Sequence, residues 1–137
     1  MTQIVRYVPL LAFVVAAYNL IAVISATALD ATLLSFGLLS GAAFIFQVKD
    51  VLELAGLILL YVELNKATKT TNVSILDHSL SLLVLMICIV ELIVVPFCGT
   101  ATFFLITVMT VIDVVAGFTI TITGAKRDFS SERVTTL

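Results

Sequence analysis

Charge is what this 137-residue sequence has least of: Asp, Glu, Lys and Arg make up 12% of it, against about a quarter in a water-soluble domain. The shortage accompanies 61% hydrophobic residues and a mean hydropathy of +1.25. With apolar runs near the length needed to cross a bilayer, such a composition reads as an integral membrane protein. A net charge of −2 and the lack of a basic stripe interleaved with aromatics exclude nucleic acid as a partner.

Cysteine and histidine are equally scarce. The two cysteines, Cys88 and Cys98, lie ten residues apart and form neither a CxxC nor a metal set, so separate structural roles are expected rather than a disulfide. The single histidine, His78, cannot supply both axial ligands of a haem from one chain. There is no GxSxG, HExxH or P-loop. The sequence therefore predicts no enzyme, no metal and no cofactor.

What is present is apolar sequence in four blocks. Residues 8–28, interrupted only by Tyr18 and Asn19, exceed the roughly 7–15-residue apolar core of a signal peptide despite the cleavage-like A-T-A at 26–28. Helices are predicted at about 4–28, 33–64, 74–95 and 100–123. Asp30, the polar "NKATKTTN" and Pro96 with Gly99 supply the breaks. The expected fold is an all-α four-helix transmembrane bundle over 1–124, followed by a short polar cytoplasmic tail over 125–137.

Basic residues orient it. Arg6 precedes the first block, Lys66 and Lys69 fill the second loop, and Lys126, Arg127 and Arg133 sit in the tail, whereas the first and third loops have none. Both termini are then cytoplasmic by the positive-inside rule, as in a bacterial inner membrane. The same rule tests "FQVKDV", residues 46–51. Were it a loop between two half-helices, the lysine loop and the tail would face outward, so 33–64 is expected to cross once. At 1.5 Å per residue that block would span roughly 48 Å against a core of about 30 Å. Either it tilts, or "LLSFGLLSGAAF" projects outward or bends near Gly41.

Helical spacing then points polar residues inward. Lys49, Glu53, Gly56, Leu60 and Glu63 step 4, 3, 4, 3 along one face. Asp77, Ser81, Val84, Cys88 and Glu91 repeat the pattern, as do Thr110, Asp113, Gly117 and Gly124. Ala12, Ala16 and Asn19 complete the small and polar interior that lets membrane helices approach closely. Counting up from the cytoplasmic ends places Glu53 and Asp113 at about 16 Å and Lys49 with Glu91 near 22 Å. Lys49 is expected to face Glu91, and Glu53 to lie near Asp113, with Asn19 and Thr110 as hydrogen-bonding neighbours.

Each of these has a structural reading beside a functional one. Lys49 with Glu91 reads as a packing ion pair, and Asp50 as snorkelling to the interface. Glu53 with Asp113 reads as a hydrogen-bonded helix contact or as an ion-handling site. Glu63 is expected to be solvated, His78 interfacial, Asp77 at the start of its helix, and the threonines of the last helix bonded to their own backbone. One lysine against Glu53, Glu91 and Asp113 leaves acids that must be protonated, hydrated, paired with another subunit or bound to a cation. Two functions follow: an accessory or assembly subunit that joins other membrane subunits or its own copies, or a proton or cation conductor using Glu53, Asp113, Glu91 and Lys49.

Overall fold

The computed structural model describes the backbone of residues 8–68 and 74–135, with side chains for 8–68, 78–124 and 126. Expectations resting on Arg6, on Lys69, or on the side chains of Asp77, Arg127 and Arg133 lie outside the described residues. The described residues are mostly helical, with four helices among them: α1 (Leu11–Ile24), α2 (Val48–Ala67), α3 (Ser74–Val94) and α4 (Ala101–Thr135). Short 3-10 turns at Ala26–Asp30 and Pro96–Cys98 follow α1 and α3.

The expected helix over 33–64 is corrected at its first half. Residues there form an antiparallel hairpin, β1 (Thr32–Gly37) and β2 (Ala43–Gln47), pairing Ser35 with Ile45 and Phe36 with Phe44. The physical reasons are local. "TLLSFG" and "AFIFQ" carry Thr, Phe and Ile, which favour a pleated backbone, while Ser35, Gly37, Ser40 and Gly41 weaken any helix across them. Gly41, at φ +85°, adopts the left-handed backbone that closes the turn, with its N–H on the Leu38 carbonyl (3.0 Å) and the Leu38 N–H on the Ala42 carbonyl (2.8 Å). The pair Gly37 and Gly41 thus ends a strand and turns a hairpin rather than packing helices.

The start of α2 is marked by its cap. The Gln47 backbone N–H donates to the Asp50 carboxylate at 2.7 Å, satisfying a donor at the first turn and placing negative charge at the positive helix end. Asp50 is therefore a cap, not a snorkelling residue. At the other end α2 runs past Leu64 to Ala67, where the Thr68 hydroxyl bonds the Asn65 carbonyl. The polar tail is also corrected: α4 continues without a break to Thr135, its Lys, Arg and Glu being good helix formers with no proline among them.

α4 is the central element, packing most extensively against α3 and α2. Two glycines permit this. Gly56 on α2 lies against the Met109 thioether, and Gly117 on α4 lies against the His78 ring of α3. The core at the hairpin end joins Val14, Val15 and Tyr18 of α1 to Cys88, Phe103 and Ile106, with the Tyr18 and Phe103 rings 4.9 Å apart. Among the described residues, one stretch, Ala101–Gly124, is long and apolar enough to cross a membrane; Leu11–Ile24 and His78–Val94 are shorter apolar helices.

Candidate functional site

Polar residues gather at the two ends of the bundle and along the buried face of α4. At the hairpin end, Asn19 of α1 ties three segments together. Its side-chain N–H donates to the Glu91 carboxylate of α3 at 2.8 Å, and its carbonyl accepts the Cys98 thiol at 3.3 Å. Beside it the Tyr18 hydroxyl donates to the Phe97 carbonyl at 3.0 Å. A phenol has one proton, so the 2.6 Å contact with Thr100 must run from the threonine hydroxyl to the tyrosine oxygen. The Thr100 oxygen in turn accepts the Phe103 N–H at 3.2 Å, capping α4. Burial, and then the nearby Glu91 charge, push the Cys98 thiol up to about 11.

Tyr18 and Thr100 of this network also line a cavity of about 460 Å³. Its lining includes Leu29, Phe97 and Ala101 together with the Asp30–Lys49 ion pair. That pair is 2.7 Å long, its side chains 65% and 34% exposed. Asp30 is placed by the 3-10 turn after α1 and Lys49 by the first turn of α2. The Gln47 side-chain N–H, on the Asp30 carbonyl at 2.7 Å, fixes the two segments together.

At the opposite end, Glu63 is 3% exposed, accepting the Leu10 N–H at 3.1 Å and the Lys66 ammonium at 3.0 Å. Contrary to the expectation that it is solvated, it is buried and caps the start of α1 from α2. His78 is not interfacial either: it is 4% exposed, set on Gly117 and Phe118, with its Nε2 buried and unpartnered. Asp113 is buried on α4 and has partners of its own. Thr110 is buried too, bonding the Thr107 carbonyl at 2.7 Å and standing within hydrogen-bond reach of the Cys88 thiol.

The residues singled out by spacing are thus divided. Lys49 meets Asp30 rather than Glu91, because α2 begins only at Val48 and its first turn stands at the rim of the bundle. Glu91 meets Asn19 instead. Glu53 is half-buried one turn below Lys49, close enough for its charge to act on that ammonium. The inward faces of Gly56, Leu60 and Glu63 and of Ser81 and Cys88 are buried, while Ala16 and Gly124 are exposed. Tyr18, Asp30 and Thr100 were missed by the spacing argument. A phenol inside an apolar helix demands a partner for its hydroxyl, and that signal would have found the first. Both thiols are free and buried, and no set of His, Cys, Asp or Glu among the described residues could hold a metal ion. No known protein family, characterised protein or solved structure matches this chain.

Proposed function

We propose that this chain is a four-crossing membrane protein, with both termini cytoplasmic, that serves as an assembly subunit of a larger membrane complex or homo-oligomer. A bacterial inner membrane fits that orientation. The membrane reading is supported by the outward helix faces, where Val23, Tyr61, Ile93 and Val115 are exposed. Apolar area of this kind costs about 25 cal/mol per Å² in water and nothing in lipid. Helices α2 and α3, of 20 and 21 residues, run about 30 Å each, the thickness of a hydrocarbon core.

The observation that carries the assembly reading is the hairpin. Its strands and turn hold no charged residue, and Leu33, Phe36, Leu39, Phe44 and Ile45 are all exposed. An uncharged two-stranded sheet with open edges is marginal alone and suited to a protein partner. Conduction has less support. Glu91, Glu63 and Asp50 are each engaged by a group of this chain, and the α4 threonines turn their hydroxyls onto their own carbonyls. A proton or cation path needs such groups joined in succession.

Gentle detergent extraction tests this. The native protein should run as a defined assembly, and Leu39→Lys with Phe44→Lys should reduce it to a single chain. A wild-type protein that is already a stable lone monomer overturns the proposal. Liposomes holding the protein should keep a pH gradient; a leak abolished by Glu53→Gln or Asp113→Asn would establish the conductor instead.

A further inference from the structure

The cavity between the two 3-10 turns and the first turns of α2 and α4 combines features that specify a ligand class. Its volume, about 460 Å³, falls within the roughly 300–1,000 Å³ of small-molecule sites. Leu29 and Phe97 make its walls apolar, while the hydroxyls of Tyr18 and Thr100 are already committed to each other and to Phe97. The charged capacity left lies in the ion pair, beside the neutral hydroxyls of Thr27 and Thr102. An ammonium carries three donors and a carboxylate about four acceptor positions, and the Lys49–Asp30 bridge uses one of each. A bare anion drawn to Lys49 would be repelled by Asp30, and a bare cation drawn to Asp30 would be repelled by Lys49. A ligand bearing both charges meets both groups at once.

We propose that this cavity binds the phosphoethanolamine group of a phospholipid, the phosphate on Lys49 and the primary ammonium on Asp30. The inference rests on the membrane reading above, and the surroundings of the cavity favour a lipid source over a soluble zwitterion. Ile24 stands two residues before the lining residue Ala26, and Val94 two before Pro96. Both are largely exposed, giving acyl chains an apolar surface beside the head group. A primary ammonium is preferred to a quaternary one because only the former donates hydrogen bonds to a carboxylate.

The test uses the full chain purified in detergent and dihexanoyl lipids, read by native mass spectrometry and thermal shift. Dihexanoyl phosphatidylethanolamine should be retained, with the choline and glycerol analogues about tenfold weaker, the loss of one charge-assisted hydrogen bond. Lys49→Met and Asp30→Asn should each weaken retention about tenfold and Lys49→Arg should preserve it. Ala101→Trp, which fills the cavity while leaving the ion pair intact, should abolish it. Equal retention of all three head groups, or retention unmoved by these variants, overturns the proposal. Free phosphoethanolamine binding as tightly as the lipid overturns the lipid assignment. Alkaline carbonate extraction reads the membrane assignment separately: a chain released by carbonate fails there, whereas a resistant chain indifferent to head group fails only at the cavity.

Discussion

Asn19 satisfies both halves of its amide with groups from different segments, the Glu91 carboxylate on one side and the Cys98 thiol on the other. Spacing along α1 brought Asn19 to notice as an inward polar residue, but only the fold shows its partners, because depth counted from helix ends cannot anticipate where a helix begins. One consequence concerns Cys98. Its thiol is raised to about 11 from 9.0, so it binds a proton between those values that the unfolded thiol has lost. The stability it contributes is complete below pH 9 and is lost as pH rises through 11. In a Cys88→Ala background, iodoacetamide should label Cys98 far more slowly than an unfolded peptide thiol at pH 9, and Glu91→Gln should move the labelling curve to lower pH. A Glu91→Gln curve at or above the parent would contradict the role of that carboxylate. The two packing glycines give a second test. A methyl group at Gly117 meets the rigid ring of buried His78, whereas at Gly56 it meets the flexible end of Met109 at 2.7 Å. Gly117→Ala should cost about 1–3 kcal/mol, and Gly56→Ala clearly less, in thermal melts of the detergent-solubilised protein. Equal costs would show that the His78 ring can give way.

The helical elements follow from the sequence more readily than the hairpin does. Apolar runs with breaks at Pro96 and in the "NKATKTTN" loop place α3 within a residue or two, and the 4-3 spacing picks out the buried faces of α2 and α3. Residues 33–47 defeated the same method because their apolar content is continuous with that of α2, and a long run has no period that separates a buried helix from an exposed hairpin. The signals that do separate them are local: the pairing of Ser40 with Gly41, and the acid at Asp50 three residues after Gln47. Gly41 makes the hairpin testable by itself. There is open space where its Cβ would lie, so Gly41→Ala meets no clash and its cost is all backbone, about 1–2 kcal/mol for a left-handed non-glycine residue. Amide exchange across the β1–β2 ladder should quicken about five- to thirtyfold, with exchange in α3 unchanged. Unaltered ladder exchange would mean that the turn is not held by Gly41.

On the scale of the whole molecule, the two ion pairs stand toward opposite ends, with half-buried Glu53 and Glu91 and buried Asp113 on the helices between. Asp30 with Lys49 closes the hairpin end and Glu63 with Lys66 closes the other. The apolar faces of α1, α3 and α4 run between them. The exposed Asp30–Lys49 pair keeps access to water that an ion pair at depth would lose, which suits the proposed membrane setting. The proposed four-crossing topology is measurable, because the hairpin tip and the end of α2 would then lie on opposite sides of the membrane. Ser40 and Thr68 are both exposed, and the native thiols are buried, so single cysteines at these two positions should report against a low background. In intact cells a membrane-impermeant maleimide should label Ser40→Cys at once and Thr68→Cys only after permeabilisation. Labelling of Thr68→Cys alone would invert the orientation deduced from the lysines, placing the hairpin and the cavity in the cytoplasm. Equal labelling of both would remove the membrane from between them, and with it the reason for so little charge in the sequence.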